Sequence, residues 1–236
     1  MAMKDDQSSL AGEAYVVLRE RLLRGELPIG KVISRRKIAK ELGMSMLPIM
    51  EAFLRLELEG LLESRARAGT RVRIPTEQDV RGQYIMRQAL EAESARLCAQ
   101  VATKRERLEL QKFATRVDML SADAETNRFV YLSVHEKLHR RIAECTRCQA
   151  LLEAIEKNHV LATTWLCKAR PATVDGPRPA HRALIDVIVN GSPSAAAEAM
   201  RAHIESALEK TLQRLEPYFR LHETRGTAYQ RVAAGR

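Results

Sequence analysis

Residues 34–58, SRRKIAKELGMSMLPIMEAFLRLEL, constrain the fold of this chain more than any other stretch. Ile38, Ala39 and Leu42 recur at three- and four-residue spacing, which draws one apolar stripe along a short helix. Ser34 stands just ahead of it, with a hydroxyl able to accept from an orphan N–H of the first turn. Gly43 follows, a residue that takes the left-handed conformation closing a helix at no steric cost. Ser45 is then placed to cap a second helix, with Ile49, Ala52, Phe53 and Leu56 on its inner side. Two short helices across a three-residue connection match a helix-turn-helix, whose second helix can enter a DNA major groove. An ordinary helical hairpin carries the same pattern, so this stretch alone leaves both open.

The flanks narrow the choice. A helix is expected from about Glu13 to Arg24, with Tyr15, Leu18 and Leu22 facing inward, and Gly25, Pro28 and Gly30 turn the chain after it. Beyond Gly60, the segment LLESRARAGTRVRIPT alternates Val72 and Ile74 with Arg71 and Arg73, a strand with one apolar and one cationic face. Leu62–Arg67 supplies its partner, with Ala68 and Gly69 at the tip, so a β-hairpin follows directly on the two helices as a wing would. Arg65, Arg67 and Arg71 flank this small tip, which lets backbone approach closely and sets guanidiniums beside phosphates or a minor groove, with Gly69 and Thr70 counted on the DNA side too. Arg35 and Arg36 are expected phosphate contacts at the start of the first helix. The competing reading is a solvated hairpin whose arginines serve solubility. Its position immediately after the helix pair favours a DNA reader.

At 236 residues and 26.6 kDa the chain is long enough for two domains. Aromatic residues make up 4% of it while Ala, Leu, Glu and Arg are frequent, a composition that favours helices. Residues 1–75 carry 14 Lys and Arg against 10 Asp and Glu, within a net charge of +9, a balance that assists approach to DNA without identifying it. There is no apolar run of membrane-spanning length and no secretory leader, so a cytoplasmic protein that does not engage membranes is expected. Cys98, Cys145, Cys148 and Cys167 are few and unevenly spaced, as free thiols would be.

The fold class expected is mainly α, a winged helix-turn-helix over residues 10–76 followed by an all-helical bundle of six or seven helices over 77–216. Pro75 and TEQD mark the boundary. Six helices are expected beyond it, over about 79–101, 104–121, 125–144, 149–168, 180–190 and 193–216, with PATVDGPRP as the clearest break. Ser192 and Pro193 restart the chain as cap and first helical residue, and Pro217 is expected to end the last helix. The basic segment 217–236 has little apolar periodicity and is expected to be a partly flexible tail.

Histidines carry the chemistry of this second half. His135 and His139 lie one turn apart on one helix face, a spacing suited to joint metal ligation, while His181 opens the fifth helix and His203 lies within the sixth. Spacing leaves open whether the three helices bring them together. HEKLH also matches the zincin pattern, with Glu136 as base, and a metal-dependent hydrolase is the enzyme alternative. The Cys145–Cys148 pair has no second CxxC and no βαβ context, so inert thiols are the simpler reading.

In combination, GELPIGKVISRRKIAKELGMSMLPIMEAFLRLELEGLLESRARAGTRVRI, RQALEAESARLCA, LHRRIAECTRCQALL and HRALIDVIVNGSPSAAAEAMRAH resemble the GntR family of bacterial transcriptional regulators, in the FadR-like subgroup whose C-terminal domain is called FCD. The resemblance covers about residues 10–216. It implies a homodimer bound to two-fold related, double-stranded operator DNA, without catalysis. A small organic acid, often held through a metal ion, alters operator affinity, with repression relieved by effector as the preferred sign. The family's metal ligands are Asp-x3-His on one helix and one His on each of two later helices. His139, His181 and His203 match the three histidines, and His135 stands where Asp is usual. That exchange of a hard anion for a neutral imidazole favours Zn²⁺ or Ni²⁺ over Mg²⁺. Arg87 matches an arginine that reaches the effector cavity in related regulators, although Glu91 one turn on could pair with it. Met46 and Met50 stand where relatives usually carry arginines. Methionine cannot make the bidentate guanine contact, so reading would shift to Ser45, to methyl contacts from Met46 or Met50, and to the wing arginines. A constitutive architectural DNA binder, indifferent to small acids, is the remaining alternative.

Overall fold

A computed structural model describes residues 9–65, 68–122, 128–168 and 180–233, and the chain divides into two compact units, Met1–Pro75 and Thr76–Arg236. In the first unit, α1 (Leu10–Leu23) begins at Ser9, whose hydroxyl accepts from the Gly12 amide at 3.0 Å. Ala14, Tyr15, Leu18 and Leu22 form its buried stripe and pack on α3. Helix α2 (Arg35–Leu42) is capped by Ser34, which accepts from the Lys37 amide at 3.3 Å, and it ends at Gly43 with φ 64°. Helix α3 (Met46–Leu58) follows. Ser45 has the extended backbone of a cap but makes no side-chain cap bond, in contrast to the sequence expectation.

Three short strands complete this unit: β1 (Val32–Ile33), β2 (Leu62–Arg65) and β3 (Gly69–Val72), in the order β1-β3-β2 and all antiparallel. Leu62 pairs with Val72, Glu63 with Arg71 and Ser64 with Thr70, which turns Thr70 and Val72 into the core. The hairpin was legible from alternation. β1 was not, because two residues show no alternation.

The second unit contains six described helices: α4 (Glu77–Val101), α5 (Lys104–Ala122), α6 (Arg128–Cys145), α7 (Gln149–Lys168), α8 (Ala180–Asn190) and α9 (Pro193–Ala233). Thr76 and Asp79 form a reciprocal capping box at the start of α4, with bonds of 2.9 and 3.1 Å. α4 is the central element, packing on α6, α7, α8 and α9. Its inner face includes Val80, Tyr84, Ala95 and Cys98, but also Arg87, Glu91 and Ser94. Charged residues on the buried side of a central helix are the first structural sign of a site.

The expected stop at Pro217 does not occur: α9 continues through it to Ala233. Proline removes one amide from the helix ladder and restricts the residue before it, but the turn persists with Leu215 fully buried and Arg220 paired to Glu216 across the proline. The segment PATVDGPRP, from position 171, lies outside the described residues.

Candidate functional site

His135 and His139 project from one face of α6, His181 from the first turn of α8 and His203 from α9. One ring nitrogen of each lies within 4.8 Å of those of the other three. The two α6 rings meet through their Nε2 atoms at 3.2 Å, and the His181 and His203 ring centroids are 5.0 Å apart. Packing of α6, α8 and α9 against α4 and α5 therefore achieves the convergence that spacing left open.

Two carboxylates orient the cluster. Glu91 Oε2 on α4 lies 2.5 Å from His139 Nδ1, and Asp118 Oδ1 on α5 lies 2.8 Å from His181 Nδ1. Asp118 also accepts the His181 and Arg182 amides at 3.1 and 3.0 Å, so the same carboxylate satisfies two orphan N–H groups at the start of α8. A carboxylate at Nδ1 selects the tautomer that leaves the Nε2 lone pair pointing into the cluster. His181 Nε2 and His203 Nε2 are buried without a hydrogen-bond partner. Burial holds the His135 imidazole well below its ordinary pKa, reinforced by His139, His181, His203 and Arg87, and it does the same to His203. Burial also lowers His181, against the opposing pull of Asp118. Burial disfavours the protonated forms of His135, His181 and His203, and imidazoles with two unpartnered nitrogens are what a borderline divalent ion requires, so the residues present fit a transition metal.

Arg87 is 3% exposed and lies beside this cluster. Its Nε donates to Glu91 Oε1 at 2.7 Å, and its guanidinium carbon sits 4.9 Å from the Tyr84 ring centroid. The pairing with Glu91 that the sequence offered as an alternative is thus formed, and Glu91 joins Arg87 to His139. Asp118 was missed: a lone aspartate within α5 has no local signal for a partner 63 positions later. The HEKLH pattern accounts for His135 and His139 alone, whereas they meet His181 from α8 and His203 from α9, a donor set that the zincin pattern does not predict. Cys98 and Cys145 are free, buried thiols and Cys148 is exposed, so the CxxC is split between core and surface.

In the first unit, the outer side of α3 exposes Met46, Leu47, Met50, Leu54 and Leu58. Arg36 is exposed on α2. Arg35 keeps a partly exposed side chain but is engaged within the unit, donating to Glu57 at 3.2 Å and Ser64 at 3.1 Å with its guanidinium 5.4 Å from the centre of Phe53. On the hairpin, Arg71 Nε lies 2.5 Å from Glu63 and Arg65 lies 3.6 Å from the same carboxylate. Thr70 is buried, its hydroxyl 2.7 Å from that of Ser64, so it shapes the hairpin from inside. Gly69 has φ 79°, which favours glycine at this tip. Arg67 lies outside the described residues.

Two family descriptions match the chain: "FCD domain" over residues 84–206 and "Bacterial regulatory proteins, gntR family" over residues 10–72. A relative from Paenarthrobacter nicotinovorans, named "Probable D-xylose utilization operon transcriptional repressor", is 28% identical over 206 residues, covering 87% of this chain and 90% of its own. Among solved structures, a GntR transcriptional regulator from Rhodococcus sp. RHA1 superposes with a TM-score of 0.72 at 19% identity, over 86% of this chain and 97% of the other. The McbR/YncC protein of E. coli does so with a TM-score of 0.67 at 20% identity, over 89% and 99%. Among the described residues, no helix is long and apolar enough to cross a membrane.

Proposed function

The chain belongs to the bacterial gntR family of transcriptional regulators, with an FCD effector domain, and from that premise we propose that it is an operator-binding repressor relieved by a small carboxylate metabolite bound beside a metal ion. The convergence of His135, His139, His181 and His203 within 4.8 Å carries the reading. These four residues would hold the ion, Zn²⁺ or Ni²⁺, which would supply a Lewis-acid anchor for the carboxylate. Glu91 and Asp118 hold His139 and His181 in position. Arg87, fixed through Nε to Glu91, supplies a desolvated positive charge next to His135 and His203, where an anion gains most.

Five helices contribute a residue to this centre: Glu91 from α4, Asp118 from α5, His135 and His139 from α6, His181 from α8 and His203 from α9. Ligand occupancy therefore acts on most of the bundle at once. In a cytoplasmic homodimer that change sets operator affinity, because dimer geometry spaces the two reading helices. Arg36, Arg65, Arg67 and Arg71 are assigned to the DNA side, with Arg35 bracing α3 and β2.

Protein purified without an affinity tag should carry about one transition-metal ion per chain by elemental analysis, and His139→Ala and His203→Ala should lose it. A duplex selected from a random library should bind the protein more weakly once a panel of small carboxylates is added. Metal content unchanged in both variants, or selected-duplex binding indifferent to every acid, would overturn the reading.

A further inference from the structure

Helix α3 is apolar on both sides. Pro48, Ile49, Ala52, Phe53 and Leu56 are buried, while Met46 is 39% exposed, Leu47 65%, Met50 50% and Leu54 57%. By helical geometry the four exposed side chains cover an arc of about 100° and about 12 Å of length, some three to four base-pair steps. The one basic residue of α3 is withdrawn from that arc: the Arg55 guanidinium lies 3.7 Å from the Tyr15 ring centroid and 3.5 Å from Glu59. Exposed cations stand on the two elements that pack against α3, on α2 at Arg36, Lys37 and Lys40 and on the hairpin at Arg65.

A cationic rim around an aliphatic centre matches one kind of surface. The rim suits phosphates, and the centre suits the one apolar group in the major groove, the thymine 5-methyl. Guanine offers only acceptors there, and this arc presents no donor to meet them. Resting on the DNA-reading function proposed above, we infer that α3 selects A·T pairs by their thymine methyls, with Leu47 and Leu54 joining Met46 and Met50 as specificity-determining residues. Glu51, exposed at one edge of the arc, adds an acceptor that repels phosphates and can accept a hydrogen bond from adenine N6–H. Specificity then resides in buried methyl area, while affinity resides in the flanking arginines and lysines.

The test uses the full-length protein and a duplex selected by it from a random-sequence library, remade with deoxyuridine in place of thymidine, which deletes only the methyl. Each methyl seated on α3 is worth roughly 4-fold in affinity, so two or three should cost about 15- to 60-fold. Leu47→Asn/Leu54→Asn changes exposed positions only, and should abolish most of the thymidine-to-deoxyuridine difference while keeping salt-dependent binding to unselected DNA. Equal affinity for both duplexes, or a selected sequence with guanine opposite α3, would overturn the inference and leave the regulator function standing. Self-association of the protein that Leu54→Asn abolishes, without duplex selectivity, would also overturn it and assign the face to a second copy. Failure to select any sequence would remove both.

Discussion

Glu91 is 2% exposed and serves two partners, with one oxygen on Arg87 and the other beside His139. A buried carboxylate is tolerable only with its cation in place, and the reverse holds for Arg87. Glu91→Gln should therefore destabilise the protein by about 3–5 kcal/mol in urea unfolding, because it strands a buried guanidinium. Arg87→Met/Glu91→Leu removes both charges and should cost clearly less, although it also frees His139 Nδ1. A purely surface pair would show neither effect. The same residue-scale logic applies at His135. His135→Asp places a hard anionic donor in the cluster, so competition binding should show Mn²⁺ gaining on Zn²⁺ relative to the parent protein.

At the scale of elements, the start of α5 is tied to the turn after α6 through one carboxylate. Glu106 Oε2 accepts the Thr103 amide at 2.9 Å and the Arg147 guanidinium at 2.9 Å, while Thr103 Oγ1 accepts the Glu106 amide at 3.3 Å. Arg147 first, then the Thr103 amide, bring the Glu106 carboxyl down to about 2. A carboxylate depressed on folding contributes stability above its unfolded pKa, near 4.3, and loses that contribution as pH falls towards 2. Glu106→Gln keeps a capping residue without the charge, so its urea midpoint should lie below the parent's at pH 6 and converge with it by pH 2. Local patterns of this kind were readable beforehand: Ser34 and Gly43 bound α2 as their chemistry requires, and His135 and His139 share a face because the helical period demands it. Pro217 misled because a single missing amide is a weaker constraint than a helix held before it by the buried Leu215 and across it by the Glu216–Arg220 pair. Ser45 misled because cap position and cap bond are separate properties.

For the whole molecule, what the sequence withheld was the meeting of distant helices. His139 and His203 are 64 positions apart, and His181 is 63 from Asp118, and no periodicity along one helix reports a contact between two. All four histidines were named from the sequence, three of them matching the family's pattern, but Asp118 and the second role of Glu91 came only with packing. That packing makes the centre a crosslink among five helices within Thr76–Arg236, while Met1–Pro75 has its own core of Leu18, Ile49, Phe53 and Leu56. A ligand that binds only the folded bundle stabilises by its mass action, about 2.7 kcal/mol at a hundredfold excess over Kd. Scanning calorimetry of metal-stripped protein titrated with Zn²⁺ should therefore resolve a transition that moves up with added metal and one that stays in place. In His203→Ala neither should move. A uniform shift of both transitions would instead mean that the ion's stabilisation reaches the winged unit directly, and the two units would have to be treated as one cooperative body.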